Sequence, residues 1–430
     1  MSVTAVVGLQ WGDEAKGKFV DLLSTEADLV ARFNGGDNAG HTVVNPMGTF
    51  KVRLTPNGFS NPHTACVIGP GVVVNLSTLV NEVNSIESSG IDVRSRLWIS
   101  PRCNVIMPYH PLIEKIYEQA KSASRTGTTG RGIGPVFADK VSYNGIRLFD
   151  LADERVFAEK LRVQLSVKNP FLQAFGLPAL SFESVFDEIL KLYAQIQGCV
   201  REPYGMVQDM LARGGKILLE GAQGALLDNI WGTYPYCTAS VTLAGGASAG
   251  LGIAPQCITQ IVGVAKAYTT RVGAGPMPTE LEDEVGKTLQ VEGQEYGTVT
   301  GRPRRCGWFD AELVRFTVQL NGVTRIALTK LDVLDTLPQI KICVGYRLPE
   351  SGEQLRRYWE LDTARLEQCE PVYIEMEGWQ QSTHDARRFA DLPPQAQAYV
   401  RKIEELVGAP VGYVSVGAER EATIHIFGAT

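Results

Sequence analysis

Two lysines and two carboxylates fall within six residues in the stretch Gly12-Asp13-Glu14-Ala15-Lys16-Gly17-Lys18. From Gly12 the spacing Gly-x4-Gly-Lys is that of a phosphate-binding loop, in which backbone N–H groups and the Lys18 ammonium surround phosphate oxygens at a helix N-terminus. Such a loop normally follows its lysine with Ser or Thr, whose hydroxyl binds Mg²⁺. Here Phe19 stands instead, so a metal needs another oxygen ligand, and Asp13 inside the loop is the candidate. Glycines at a strand-to-helix turn also serve simply as tight-turn residues, but a plain turn needs neither lysines nor carboxylates. The expectation is a loop that holds a nucleotide and a metal.

Further clusters have residue types suited to chemistry. Asn34-Gly35-Gly36-Asp37-Asn38-Ala39-Gly40-His41-Thr42 lets a ligand approach the backbone, and His41 titrates near neutral pH. A single loop histidine is as often structural as catalytic. Thr126-Gly127-Thr128-Thr129-Gly130-Arg131-Gly132-Ile133-Gly134-Pro135 combines hydroxyls, backbone donors and a guanidinium, a set that suits a phosphate or a carboxylate and also suits a surface loop. Glu220-Gly221-Ala222-Gln223-Gly224 aims an amide, donor and acceptor together, at whatever lies above its strand. In Thr298-Val299-Thr300-Gly301-Arg302-Pro303-Arg304-Arg305, three guanidiniums within four residues form either a solvated charge run or a grip on a small dianion. Thr329-Lys330-Leu331-Asp332 resembles the Asn/Thr-Lys-x-Asp element that reads guanine. A carboxylate there accepts from N1–H and the 2-amino group, neither of which adenine offers.

The elements that must position these clusters are apolar strands at 3–7, 217–219, 261–264, 325–328 and 411–416, each running into one of the polar or Gly-rich segments. Residues 181–197 and 395–407 read as amphipathic helices. This pattern predicts an α/β fold, one large domain over residues 1–430 around a mainly parallel central sheet, with the site at the carboxyl ends of the strands. The 430 residues are 44% hydrophobic, ample for a core. A net charge of -6 argues against a nucleic-acid binder. With no leader-type segment and no long apolar run, the expectation is a cytoplasmic protein that meets neither nucleic acid nor membrane. Eight cysteines are scattered without a Cys-x-x-Cys pair, unlike a zinc module or a disulfide framework.

Taken together, Gln10-Trp11-Gly12-Asp13-Glu14, Asn38-Ala39-Gly40-His41-Thr42, Thr128-Thr129-Gly130-Arg131-Gly132-Ile133-Gly134-Pro135, Glu220-Gly221-Ala222-Gln223-Gly224, the segment 266–273 and Thr300-Gly301-Arg302-Pro303-Arg304-Arg305 closely resemble adenylosuccinate synthetase over residues 3–430. That family joins IMP and L-aspartate at the expense of GTP. The resemblance implies a homodimer and one Mg²⁺ per subunit, held by Asp13 and the Gly40 carbonyl. Asp13 would be the base, His41 the acid and phosphate partner, with Lys16 and Gln223 completing the catalytic set. GTP, as co-substrate, would lie on Gly12, Asp13, Glu14, Ala15, Lys16, Gly17, Lys18 and Arg304, with guanine among Lys330, Leu331, Asp332, Ser415, Val416 and Gly417. Asn38, Ala39, Gly40, His41, Thr129, Arg131, Gln223 and Thr238 would meet IMP. Thr298, Val299, Thr300, Gly301, Arg302, Pro303 and Arg304 would hold aspartate, with Arg302 also reaching IMP.

Several motif positions depart from the family pattern. Ala15 replaces a loop glycine, and Tyr143 an arginine that crosses the family's dimer interface to the IMP phosphate; Trp231, Ala239 and Val241 also differ. These departures leave open a paralogue that ligates aspartate to another 6-oxopurine-like acceptor. A catalytically silent GTP-binding protein is the other alternative, against which the retention of Asp13 and His41 counts.

Overall fold

The computed structural model describes residues 2–426 except 46, 298–300, 350, 353, 356 and 359–361. The fold is built around Ser2–Gly8, in which Val3, Ala5, Val6 and Val7 are all fully buried. Burial of consecutive residues means that both faces of the strand are covered, as expected in a parallel sheet with helices on either side. The central sheet has nine strands, in chain order β1 (Ser2–Gly8), β2 (Leu29–Arg32), β3 (Ala65–Ile68), β4 (Leu97–Ile99), β5 (Lys216–Glu220), β6 (Ile258–Lys266), β7 (Arg325–Thr329), β8 (Val411–Ser415) and β9 (Thr423–His425). Their spatial order is β9-β8-β7-β6-β1-β5-β2-β3-β4. All pairs are parallel except β8 with β9.

This order makes β1 the switch point. From β1 the chain moves outward to β2, β3 and β4, returns as β5 beside β1, then crosses to build β6, β7 and β8 on the other side. Ala5 pairs with Leu219 of β5 and with Ile261 of β6, so the loop after β1 lies between two groups of strand ends. Ligands of open α/β sheets bind at such a crevice. The helix α1 (Lys16–Ser24) covers one face, its Phe19 and Val20 packed with Val6, Val30 and Leu218. On the other face the helices Ala311–Asn321 and Pro394–Val407 pack Val314, Val318, Tyr399 and Val400 against Val7, Leu219 and Leu328. Fully burying each such aliphatic chain contributes about 1.5–3 kcal/mol.

A second core belongs to helices Leu76–Ser88, Tyr109–Ala120, Glu154–Ala174 and Phe182–Ile196, packed beyond β3 and β4. An antiparallel pair, Gln339–Arg347 with Glu370–Glu377, lies outside the main sheet. The five expected strands and both expected helices are present with bounds within three residues of those expected. No helix among the described residues is long and apolar enough to cross a membrane. Six of the eight cysteines are buried and all are free.

Candidate active site

The loop after β1 is held from within. Glu14 is fully buried and its Oε1 accepts from the backbone N–H groups of Gln10 (3.1 Å) and Gly12 (2.9 Å), while Oε2 pairs with Lys16. A Cβ on Gly8 would sit 2.4 Å from that carboxylate, which is why glycine ends the strand. Asp13 and Ala15 both adopt positive φ, 57° and 66°. This reversal turns the Asp13 carboxylate into the cavity, where its Oδ2 accepts from Arg304 Nε at 2.9 Å. Lys18 donates to Ser415 Oγ (2.7 Å) and to the carbonyls of Gly417 (2.9 Å) and Ala422 (3.0 Å), which joins the loop to the end of β8. Burial lowers its pKa to about 8 against the opposing pull of Asp332, Glu419 and Glu421.

His41 opens a hairpin, His41–Asn45 with Gly48–Val52, and packs on α1 so closely that a Cβ at Gly17 would meet its own Cβ at 3.0 Å. Its Nδ1 lies 2.7 Å from Glu220 Oε1. Glu220, fully buried at the end of β5, also accepts from Asn57 N and Asn57 Nδ2, each at 2.8 Å. With Nδ1–H given to the carboxylate, Nε2 is the nitrogen left for a ligand. Burial lowers the His41 pKa, with Glu220 opposing it and Arg32 and Lys16 adding to it, so the free imidazole is neutral at pH 7. Beside it runs a polar chain. Asn38 Nδ2 donates to Thr238 Oγ1 (3.4 Å), Gln223 Nε2 to Asn38 Oδ1 (3.0 Å), and Asn34 Nδ2 to Ser240 Oγ (3.3 Å).

At the opposite end, Lys330 takes positive φ (57°) directly after β7 and donates to the Gly293 carbonyl. Asp332 lines the cavity, and its buried Oδ1 has no hydrogen-bond partner among the described residues. Burial raises its pKa. A buried carboxylate oxygen without a donor is costly, and a purine edge carrying N–H groups would satisfy it.

One cavity of about 990 Å³ connects these parts. Of the residues expected in the site, it is lined by Gly12, Asp13, Ala15, Lys16, Gly17 and Lys18 of the first loop and by Asn38, Ala39, Gly40 and His41 of the second. Thr129, Gln223, Thr238, Gly301, Arg302, Arg304, Lys330, Asp332, Ser415 and Gly417 also reach it. Glu14, Leu331 and Val416 do not; they are fully buried and brace the wall from behind. Pro303 and Arg131 stand outside, the latter with Nη1 3.9 Å from Asp37. Thr298, Val299 and Thr300 lie outside the described residues. Of the departures from the family pattern, Ala15 and Ala239 line the cavity, whereas Tyr143, Trp231 and Val241 do not and are 97%, 48% and 45% exposed.

Sequence reasoning missed three supports: Glu220 with Asn57 behind His41, Arg271, and Glu295. Arg271 is sandwiched between Trp11 (4.9 Å) and Tyr236 (5.9 Å) and donates to Thr233 Oγ1 and to the carbonyls of Tyr236 and Pro276. Glu295 gathers three cations. Arginine beside tryptophan was visible in Trp11 and Arg271 only as separate motif members; no local signal marked Glu295. For a divalent cation the cavity offers hard oxygens, the Asp13 carboxylate and the Gly40 backbone. No group of three His, Cys, Asp or Glu is assembled among the described residues. That sparse set fits Mg²⁺, which keeps several waters and takes the rest of its ligands from phosphate.

Comparison with known proteins agrees with this geometry. Residues 5–424 match the family model described as adenylosuccinate synthetase. The adenylosuccinate synthetase of Heliobacterium modesticaldum is 47% identical over 427 residues, covering 99% of each chain. That of Dehalococcoides mccartyi strain CBDB1 is 46% identical over 426 residues, 99% of this chain and 100% of the other. A solved structure of fully ligated adenylosuccinate synthetase from Plasmodium falciparum superposes with a TM-score of 0.93 at 35% identity, over 99% of this chain and 100% of that one.

Proposed function

The chain belongs to the adenylosuccinate synthetase family, and we infer from it and from the cavity that this protein ligates L-aspartate to IMP at the expense of GTP, giving adenylosuccinate, GDP and phosphate. The observation that carries the reading is that Asp332, with its unpartnered buried oxygen, shares one cavity with Asp13 and with a His41 backed by Glu220. A guanine-reading end, a base and an acid thus face the same space. IMP lies against Asn38, Thr129, Gln223 and Thr238, with guanine at Lys330, Asp332, Ser415 and Gly417. The aspartate carboxylates lie at the loop that ends in Arg302 and Arg304.

Asp13, held by Arg304, takes the N1 proton of IMP and leaves O6 nucleophilic. O6 attacks the γ-phosphorus as the bond to GDP breaks. The aspartate amine then adds at C6 and phosphate leaves with the O6 atom. His41 begins neutral and gains affinity for a proton when polyphosphate arrives beside Nε2, so it can protonate a departing oxygen. Gln223 donates to Asn38 and so orients the amides that meet IMP. Lys16 and the amides of the loop meet charge that develops on the transferring group, where preorganised donors are most effective. Mg²⁺, held by Asp13 and the Gly40 carbonyl, would neutralise β- and γ-phosphate oxygens.

The enzyme works as one domain in a cytoplasmic homodimer, in keeping with the apolar side chains Val141, Tyr143, Ile230 and Trp231 left exposed on this chain. Asp13→Asn tests the chemistry. It should lower adenylosuccinate formation by about 10²–10⁴-fold, the range for a general base, while IMP still binds. Undiminished turnover would remove Asp13 from the role.

A further inference from the structure

Glu295 is fully buried and does not line the cavity, although Gly293, Gln294, Tyr296 and Gly297 around it do. It follows the helix Glu284–Glu292 and is reached through Gln294 at positive φ (48°). Its carboxylate takes both oxygens' worth of contact from Lys266 Nζ, at 2.8 Å each, and pairs with Arg304 Nη1 at 2.5 Å and with Lys330 Nζ at 3.4 Å; Tyr268 also donates to it. The three cations come from three places: the end of β6, the end of β7, and the segment before the strand Arg305–Gly307. The backbone adds to the junction. Arg304 N donates to the Glu295 carbonyl (2.9 Å), Gly297 N to the Arg302 carbonyl (2.8 Å), and Tyr296 bridges Pro303 in antiparallel fashion. Glu295 and Arg304 therefore close the base of the loop that ends in Gly301 and Arg302, and Arg304 carries the connection on to Asp13 at 2.9 Å.

One carboxylate shared among three cations cannot neutralise them all, so its purpose is not charge balance alone. A site that must accept two polyanions needs surplus positive charge, but guanidinium and ammonium groups left without an anchor would repel one another and spread. We propose that Glu295 is a positioning residue which sets Arg304, at the base of the aspartate loop, and Lys330, at the guanine end, on one common anchor, so that both arms are fixed relative to Asp13. The proposal deepens the functional reading above and rests on it.

Glu295→Gln leaves Lys266 buried without its counter-charge and so destabilises the fold; Glu295→Gln combined with Lys266→Met removes that burden. The double variant is expected to recover the thermal midpoint. Its KM for GTP and for aspartate should still rise by about fivefold or more, on the scale of one lost hydrogen bond, with the KM for IMP unchanged. A merely structural role would change the amount of active enzyme without separating IMP from the other two substrates. Wild-type KM values in the double variant, or a parallel rise in all three, would overturn the proposal. Glu295→Asp keeps the charge but shortens the reach. It covers the case in which glutamine variants fail to fold, and it should show the same split at smaller size; KM values equal to wild type would contradict the anchor. Calorimetric GTP binding separates the two readings. If the wild type binds GTP but makes no product from IMP, the functional reading fails. Weakened GTP binding in the double variant would still support Glu295, and equal affinity would overturn it.

Discussion

In the proposed reading a single atom of Asp332 selects the nucleotide. Its Oδ1 is buried in the cavity wall without a donor, and guanine supplies N–H groups where adenine supplies none. Asp332→Asn replaces that acceptor with an amide, so the KM for GTP should rise by about 10-fold or more, the scale of a hydrogen bond to a charged group. Xanthosine triphosphate, with a 2-oxo group in place of the amine, should become the better donor of the two; steady-state assays with both nucleotides check this. Ala15 is a separate case. It stands at φ 66° as the N-cap of α1, with no side-chain cap hydrogen bond. A left-handed residue with a Cβ costs about 1–2 kcal/mol, part of which glycine loses again through its freer unfolded chain. Ala15→Gly should therefore raise unfolding stability by up to about 1 kcal/mol in a denaturant titration. Tyr143, Trp231 and Val241 are exposed outside the cavity wall of this chain, and Ala239 alone of the four acceptor-side departures lines it.

At the scale of elements, the ends of β1, β2, β5, β6, β7 and β8 each deliver one part of the site. The ends of β1, β5, β6, β7 and β8 were legible because an apolar run followed by glycine and charge is a local pattern. The dyad behind His41 was not, because nothing local marks Asn57, in the segment between the His41 hairpin and β3, as a neighbour of Glu220, 163 positions away at the end of β5. For the same reason β2 was missed: its four residues end in Arg32, a fully buried guanidinium that interrupts the apolar run. Glu295 was hidden in the same way among three strand ends. The dyad carries a pH prediction. Glu220 raises the proton affinity of His41 against the lowering by burial, so Glu220→Gln lowers the His41 pKa further. Where protonated His41 is required, the rate falls as pH rises through that pKa. The alkaline limb of the rate profile should therefore move to lower pH in the variant, and an unmoved limb would mean that His41 is not the acid.

Over the whole molecule, β1 joins two groups of strands; in the proposed reading IMP would lie at the ends of β5 and β2 and GTP at those of β6, β7 and β8. Each ligand present at about 100 times its dissociation constant should stabilise the fold by about 2.7 kcal/mol. The Glu295 cluster ties the second group together and predicts behaviour in acid. Burial pushes its pKa up, but Lys266, Lys330 and Arg304 outweigh burial and bring it from 4.5 to about 2. The unfolded chain thus binds a proton that the folded chain refuses. This contribution to stability is complete above the unfolded value and is lost as pH falls from there toward the folded one. Urea midpoints measured across that window should fall more steeply in the wild type than in Glu295→Gln. The coupling of GTP cleavage to aspartate transfer onto IMP is read by phosphate release from GTP with Mg²⁺, IMP and L-aspartate, each omitted in turn and inosine substituted for IMP. Phosphate and adenylosuccinate are expected in equal amounts only when all components are present. Phosphate release that is indifferent to IMP, or that requires a different acceptor, would contradict it.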